Sequence, residues 1–374
     1  MLERIGIINF KAFGRQNLAL APFTLLTGLN SSGKSTVLQA LALLRQSYEA
    51  GVLEDGGESG LLLNGEFVQL GTGQDVRHEA YPKDDPDIGF SVATADAAGE
   101  PFTWHAAYGS EDDLLKLVAA PSAQPLLGAL PTLFGPGFQY LKADRIVPDI
   151  SYPRSHHAVV RRGFLGARGE HTVNYLRVHQ DEPVEAASLR HPSAASGTLL
   201  AQTEAWMQQL CPGVNLQAVG IDGTDTVRLS YGFGSGVNAS NRYRPTNVGF
   251  GLTYALPIVV ACLTARPGSL ILLENPEAHL HPQGQTSLAY LAAAACAAGA
   301  QLIVETHSDH VLNGLRISVK NGRIAAASTA VHFFRRNNQS GEVISPLMGD
   351  DGMLSEWPQG FFDEWENSLD QLLD

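Results

Sequence analysis

The stretch GLNSSGKS, residues 28–35, decides the fold of this chain. It follows Phe23–Thr27, whose apolar and β-branched residues predict a buried strand. It precedes Thr36–Tyr48, where apolar residues recur at helical spacing. A glycine-rich loop between a strand and a helix turns its backbone N–H groups toward an anion, and the helix dipole adds positive charge. The stretch therefore predicts a P-loop that binds the phosphates of ATP together with Mg²⁺.

Each part of this loop has a predicted role. Lys34 is expected to reach the β- and γ-phosphates, and the Ser35 hydroxyl is expected to bind Mg²⁺. The glycines permit turns and a close approach that a Cβ atom would block. The predicted phosphate-binding residues are Asn30, Ser31, Ser32, Gly33, Lys34, Ser35 and Thr36.

A magnesium site beside a P-loop also needs a carboxylate at the end of a buried strand. The run LILLE, residues 270–274, supplies Glu274 at this position. The following Asn275 and Glu277 are candidates for orienting or deprotonating the attacking water. The alternative interpretation of Glu274 is an exposed residue that only ends a strand.

Thr306-His307-Ser308 follows a second buried strand, Leu302–Glu305. Ligand sites of α/β proteins form at the carboxyl ends of parallel strands. His307 is therefore expected to hydrogen-bond the γ-phosphate, and its alternative interpretation is a structural histidine. His279 and His281 form an HxH pair without a third ligand at an obvious spacing, which disfavours a metal site there.

The remaining pattern predicts an α/β fold, with apolar strands alternating with helices around a parallel or mixed sheet. The expected segments are 1–80 (ATPase lobe), 81–245 (irregular α+β insert), 246–348 (second ATPase lobe) and 349–374 (acidic tail). Within the insert we expect helices at Glu111–Val118 and Leu199–Leu210 and a strand pair at Asn215–Tyr231 that turns at Asp222-Gly223. The tail lacks Lys and Arg, but its aromatic residues favour packing.

Composition limits the function. The net charge of −13 disfavours broad, sequence-independent wrapping of DNA, which depends on many phosphate-neutralising cations. The three cysteines, Cys211, Cys262 and Cys296, lack zinc spacing and are expected to be buried thiols. Apolar runs are too short or interrupted to span a bilayer, and no signal peptide is evident. We therefore expect a cytoplasmic protein without membrane contact.

Five motifs in this order resemble the ABC-type ATPases of the OLD, SMC and double-strand-break repair class. They are NFK (9–11), the P-loop, NVGFG (247–251), LILLENPEAHLHP (270–282) and ETHSDHVLNGLR (305–316). The ending WPQGFFD (357–363) resembles that of prokaryotic OLD-like AAA ATPases with a short C-terminal domain of unknown function. The resemblance covers roughly residues 1–80 and 240–374, and it implies an ABC-type ATPase head.

The resemblance also implies roles for residues at matching positions. Glu274 corresponds to the Walker B acid, and His307 to the switch histidine. Gly249 and Gly251 correspond to the signature loop, which in that class caps ATP held by a second subunit. This implies an ATP-dependent, head-to-tail homodimer or a higher oligomer. Lys11 of the N-terminal motif is a further candidate nucleotide-binding residue.

The chain departs from that class at three points. The usual Asp-Glu pair at Walker B is here Glu274-Asn275, and an amide cannot act as a general base. Either Glu277 takes this role or turnover is slow or dependent on a partner. The signature is not LSGGQ, which disfavours a transporter subunit. The acidic cluster of a Toprim nuclease is also missing after His307, so nuclease activity in this chain is not expected.

The favoured function is an ATP-driven dimeric switch that controls a partner effector, plausibly a nuclease in antiviral defence. The alternative is a DNA-repair or DNA-tethering ATPase, which would bind DNA through local basic patches. The candidate basic residues are Lys11, Arg161, Arg162, Arg168, Arg242 and Arg244. A small-molecule kinase is disfavoured because it leaves the signature and the HLHP loop without a role.

Overall fold

The computed structural model describes residues 1–54, 59–82, 84–95, 100–121, 125–234, 236, 239–337, 340–362 and 364–373. The strands are β1 Leu2–Phe10, β2 Phe13–Ala19, β3 Phe23–Gly28, β4 Gly60–Leu62, β5 Ile88–Thr94, β6 Phe102–Ala106, β7 Leu114–Ala119, β8 Phe138–Leu141, β9 Tyr152–Pro153, β10 Val214–Gly220, β11 Thr226–Phe233, β12 Leu270–Glu274, β13 Gln301–Glu305, β14 Thr329–Asn337 and β15 Ser340–Ile344. The α-helices are α1 Lys34–Glu49, α2 Gly73–Val76, α3 Leu126–Ala129, α4 Pro131–Phe134, α5 Thr172–His179, α6 Leu199–Met207, α7 Phe250–Leu263, α8 Pro282–Ala297, α9 Asp309–Lys320 and α10 Glu364–Leu373.

The chain divides into two compact units. The first contains Met1–Gly135, Ala327–Gly349 and Met353–Asp374, and the second contains Pro136–Ala326 and Asp350–Gly352. The four predicted segments do not coincide with these units, and the domain boundaries stay a prediction.

The first unit holds an antiparallel sheet in the order β2-β1-β5-β6-β7-β4. A second group of strands pairs β14 in parallel with β3 and antiparallel with β15. β3 is buried along nearly its whole length, as the apolar run Phe23–Thr27 predicts. It leads directly into the glycine-rich loop and α1, so the strand–loop–helix order predicted from the sequence is confirmed.

The second unit is built on parallel strands. β12 pairs in parallel with both β8 and β13. α7 is apolar around its whole circumference and buried from Leu252 to Leu263, as expected of a helix in a protein core. β10 and β11 pair with β9 in a separate antiparallel sheet. Because β12 and β13 pair in parallel, their carboxyl ends lie side by side.

Most predicted elements match the structure. The helix at Leu199–Leu210 and the strand pair at Asn215–Tyr231 correspond to α6, β10 and β11, and Gly223 in the turn has a φ of 73°. The prediction of a helix at Glu111–Val118 is wrong, because Leu114–Ala119 forms β7. Leu115 and Leu117 are buried while Lys116 between them is exposed, which is the two-residue period of a strand.

The acidic tail contributes one deeply buried ring. Phe361 has an exposed fraction of 0% and lies with its ring centroid 5.2 Å from Phe333 and 4.7 Å from Trp357. The side chain of Trp365 lies outside the described residues. Among the described helices, none combines the length and the apolar character that crossing a membrane would require.

Candidate functional site

The loop at residues 28–35 has the backbone conformation of an anion cradle. Gly28, Ser31 and Gly33 have φ angles of 131°, 59° and 108°, and the first and last values favour glycine. A Cβ atom at Gly28 would lie 2.0 Å from the Phe334 carbonyl oxygen. The loop therefore depends on its glycines for both conformation and space.

The amides of this loop are available to a ligand. The backbone N–H groups of Asn30, Ser31, Ser32 and Gly33 donate no hydrogen bond to any residue within the described ranges. α1 begins at Lys34 with no side-chain cap and no acidic residue in its first turn. Unpaired amides at the start of a helix are a ready-made phosphate site. Their arrangement fits the phosphates of ATP.

The Lys34 ammonium group lies inside the loop. Its Nζ donates to the carbonyl oxygens of Gly28 at 3.1 Å and Leu29 at 2.7 Å, and the residue is only 3% exposed. The Ser32 hydroxyl donates to the same Leu29 carbonyl at 2.7 Å. These bonds hold the cation beside the free amides. A bound phosphate would thus meet the charge of Lys34 and the amides together.

Residues in and just after the N-terminal motif pack against the P-loop and α1. A Cβ atom at Gly33 would lie 2.6 Å from Cζ of Phe13, so this ring packs directly against the loop. Asn9 has a φ of 52°, and its side-chain amide donates to the carbonyls of Asp85 and Asp87. Lys11 Nζ donates to Gln39 Oε1 at 2.7 Å on α1. The structure therefore shows a packing role for the motif and a contact of Lys11 with α1.

In the second unit, Glu274 ends β12 with its carboxylate fixed by two donors. The Tyr140 hydroxyl donates to Oε1, and the Ala143 amide donates to Oε2 at 2.9 Å. Burial raises the pKa of Tyr140 well above its usual value, and the negative charge of Glu274 raises it further. Tyr140 therefore stays protonated and remains a donor. The carboxylate keeps lone pairs on both oxygens for a further ligand.

Arg145 holds the backbone around Glu274 and was not predicted from the sequence. Its guanidinium donates to the carbonyls of Glu274 and Asn275, the latter at 2.7 Å, and to that of Lys142 at 2.9 Å. It also lies 4.2 Å from the ring centroid of Tyr254. Burial lowers the pKa of Arg145 to about 10, so the side chain is still charged at neutral pH.

The turn after β12 brings Asn275 and Glu277 to the end of β13. Asn275 has a φ of 43°, and its amide donates to the Glu305 carbonyl at 2.8 Å. Its side-chain Oδ1 is buried and accepts no hydrogen bond from the described part of the chain. Glu277 accepts from the Thr306 hydroxyl at 2.7 Å and from the His307 amide at 2.8 Å. Glu277 thus fixes the loop that carries the exposed His307.

The same unit contains the loop proposed as a signature. A Cβ atom at Gly251 would lie 2.4 Å from the His279 carbonyl oxygen, so only glycine fits there. The His279 ring packs 4.5 Å from Phe250 and 5.1 Å from Tyr254. Gly249, by contrast, is exposed, and a Cβ atom there would have no neighbour within 4 Å. The start of α7 therefore presents an open surface.

The basic residues considered for DNA binding are only partly available. Arg162 stacks on Phe164 at 4.7 Å, and Arg168 pairs with Asp144 at 3.3 Å. Arg161, Arg242 and Arg244 are exposed. Among described residues no group of three or more His, Cys, Asp or Glu forms a metal cage. Mg²⁺ at a nucleotide site needs only one or two protein ligands besides phosphate oxygens, and the roles of Ser35 and Glu274 as its ligands stay a prediction.

The family described as "AAA domain, putative AbiEii toxin, Type IV TA system" matches residues 23–102 and 166–313, more than half of the chain. The chain belongs to this family. Residues 324–372 match a second family, described as "Protein of unknown function (DUF3696)". Membership in the AAA family implies nucleotide binding, typically with Mg²⁺. No curated protein sequence matches the chain.

Solved structures show the fold of this AAA-family chain. One similar structure is an Smc head bound to the C-winged helix domain of ScpA, with a TM-score of 0.56, 13% identity, and coverage of 92% of this chain and 97% of that one. Another is an Smc head domain with an extended coiled coil, bound to the C-terminal domain of ScpA derived from Pyrococcus furiosus. It has a TM-score of 0.53, 12% identity, and coverage of 100% and 99%. The predicted fold of an ATPase head is confirmed.

Proposed function

We propose that this chain is an ATP-driven switch in which ATP pairs two copies head to tail and hydrolysis separates them. The row of free amides from Asn30 to Gly33, with the Lys34 ammonium beside it, supports this proposal most directly. Amides and a lysine in this arrangement suit a triphosphate, whose negatively charged oxygens they can bind.

The catalytic roles follow the chemistry of each group. Ser35 and Glu274 would hold Mg²⁺, and Tyr140 and the Ala143 amide would keep the Glu274 carboxylate oriented. Asn275 can orient water but cannot take its proton, because an amide has no basic site at neutral pH. Glu277 would take that proton. It also holds the His307 loop through two hydrogen bonds, so we expect slow turnover that is linked to the position of His307.

The start of α7 would cap the nucleotide of a second copy. Gly249 is exposed and sterically open, and the amides at a helix start carry partial positive charge. Thr246, Asn247 and Phe250 around it are also exposed. No lysine or arginine lies among these residues at the start of α7. Such a surface suits a phosphate whose charge Lys34 and Mg²⁺ already neutralise.

The output of the switch would be the control of an effector protein, plausibly a nuclease in antiviral defence. The family description, which names a putative toxin of a type IV toxin–antitoxin system, supports a role in defence. The alternative, a DNA-repair or DNA-tethering ATPase, has less support. Two of its candidate arginines, Arg162 and Arg168, already stack on Phe164 or pair with Asp144.

Phosphate release and sedimentation in Mg-ATP test the proposal together. We expect a slow ATPase that dimerises with ATP but not with ADP. Glu277→Gln should lower turnover by about 100-fold and trap the ATP-bound dimer, since the base is lost while nucleotide contacts remain. Asn275→Ala is the matched comparison, and it should retain more activity. If Glu277→Gln turns over at the wild-type rate, Glu277 is not the base.

A further inference from the structure

A pocket in the second unit shares no lining residue with the P-loop or with the Glu274 turn. It has a volume of about 710 Å³, within the range of roughly 300–1,000 Å³ that is usual for small-molecule sites. Its walls come from residues 188–192, from α6, from α8 and from Arg323 after α9. All of these segments belong to one compact unit.

The charge of the pocket is positive although the whole chain is acidic. Arg190 and Arg323 line it, and no Asp or Glu does so within the described ranges. Arg190 uses its Nε to donate to the Val184 carbonyl, and Arg323 lies 4.7 Å from the ring centroid of Tyr290. Neither guanidinium pairs with a carboxylate of the described residues. Two arginines are therefore held in place with their charge uncompensated.

The other walls are aromatic and amide-bearing. The Trp206 indole donates to the Leu189 carbonyl at 2.9 Å, which fixes its ring, and the His191 ring meets it edge-on at 5.1 Å. Burial lowers the pKa of His191, so its ring is neutral at pH 7 and the positive charge comes from the arginines. The side-chain amides of Gln209 and Gln283 make no hydrogen bond to other described residues.

We propose that this pocket binds a nucleotide, with its phosphate on Arg190 and Arg323 and its base against Trp206 and Tyr290. Guanidinium groups match phosphate geometry, and aromatic faces stack on bases regardless of base identity. The free amides of Gln209 and Gln283 can both donate to and accept from a base edge. This site is separate from the P-loop. Its ligand is either a free mononucleotide or the end of a single strand, since both present the same chemistry.

Equilibrium dialysis with the full chain can test this, using adenosine 5′-monophosphate, tetrathymidylate and inorganic phosphate as separate probes. At least one nucleotide probe should bind, and binding should persist in Lys34→Ala because the P-loop is not involved. The double variant Arg190→Ala/Arg323→Ala should weaken binding by at least about tenfold, since charge-assisted hydrogen bonds are lost. Arg228→Ala, which removes an exposed arginine of β11 outside the pocket, is the control and should bind as the wild type does.

The probes distinguish the two ligand sources. Binding of the monophosphate indicates a free nucleotide, and binding of tetrathymidylate alone indicates a strand end. The proposal is overturned if neither nucleotide probe binds at millimolar concentration, or if inorganic phosphate binds to Lys34→Ala as tightly as both nucleotide probes do. It is also overturned if binding disappears in Lys34→Ala or is unchanged in the double arginine variant.

Discussion

The P-loop and the Glu274 turn differ in how they are held. The P-loop is shaped largely by neighbours in sequence: glycine φ angles, and hydrogen bonds from Lys34 and Ser32 to carbonyls a few residues away. Its distant contacts include the Phe13 ring beside Gly33 and the Phe334 carbonyl beside Gly28. The Glu274 turn is shaped from a distance. Tyr140 lies 134 residues from Glu274 along the chain, and Arg145 lies 129 residues from it.

This difference separates the P-loop, which binds the ligand, from the Glu274 turn, which can respond to movement of the elements around it. A loop whose hydrogen bonds come mainly from its own residues presents its amides with less dependence on distant side chains. The Glu274 turn is held by Tyr140 of β8, by the Ala143 amide and by the loop after β13. It therefore changes when any of these elements shifts. We therefore expect the P-loop to determine nucleotide affinity and the Glu274 turn to determine turnover.

The largest expected effect concerns the P-loop. Lys34→Ala should lower ATP turnover by at least about 100-fold, because the cation nearest the transferred phosphate is removed. Phosphate release at saturating Mg-ATP measures this. Lys116→Ala, which removes an exposed lysine of β7 in the same unit, should leave the rate unchanged. Full activity in Lys34→Ala would contradict the assignment of the loop.

The Glu274 turn should respond more strongly to loss of its distant support than to nearby surface changes. Arg145→Met removes the guanidinium donor from the carbonyls of Lys142, Glu274 and Asn275, of which the last keeps the Ala278 amide. It should lower the free energy of unfolding by about 3 kcal/mol or more. Urea unfolding measures this, with the exposed Arg168→Ala as the control. Equal stability of both variants would show that Arg145 does not hold the turn.

A smaller effect is expected from the link between Glu277 and the His307 loop. Thr306→Val removes the hydroxyl that donates to Glu277 and accepts from the Ser308 amide, and should cost about 2 kcal/mol of stability. Turnover should fall several-fold while the affinity for ATP stays near the wild-type value, because the P-loop is unchanged. The affinity for ATP and the rate of turnover are measured separately. A change in affinity with no change in turnover would argue against the link between Glu277 and the His307 loop.

The smallest effect on stability is expected at Gly249. Gly249→Leu adds a side chain that has no neighbour within 4 Å, at a φ of −53° that any residue adopts, so unfolding should change by less than about 0.5 kcal/mol. The ATP-dependent dimer should nevertheless be lost. Sedimentation with and without ATP checks this, and a variant that still dimerises with ATP would remove Gly249 from the interface.

The sequence predicted the local features and missed the distant ones for a physical reason. The P-loop, the strand before it and the turn at Gly223 follow from glycine positions and residue spacing, which are visible in a short window. Tyr140 and Arg145 lie in ordinary segments, and only the parallel pairing of β8 with β12 brings Tyr140 beside Glu274. The segment Glu111–Val118 was misassigned because two-residue and helical spacing overlap in so short a run.

The environments of Glu277 and of the signature-like glycines could also be predicted only in part from the sequence. Glu277 was predicted as a base from its distance to Glu274 in sequence. Its hydrogen bonds to Thr306 and His307 depend on the pairing of β12 with β13, which the sequence does not specify. The position of the signature-like glycines was predicted from the resemblance. Their opposite environments, with Gly251 enclosed and Gly249 open, are visible only in the structure.

Mixing two inactive variants tests the central claim most directly, which is that one chain holds ATP and a second chain caps it. Lys34→Ala lacks a working P-loop, and Gly249→Leu lacks a working cap. Each alone should be inactive. In a mixed dimer, the P-loop of the Gly249→Leu chain meets the intact cap of the Lys34→Ala chain. Because neither variant pairs with itself, every dimer is mixed and has one intact site of two, so an equal mixture should recover up to about half of the wild-type rate. A mixture as inactive as its components would contradict capping between chains.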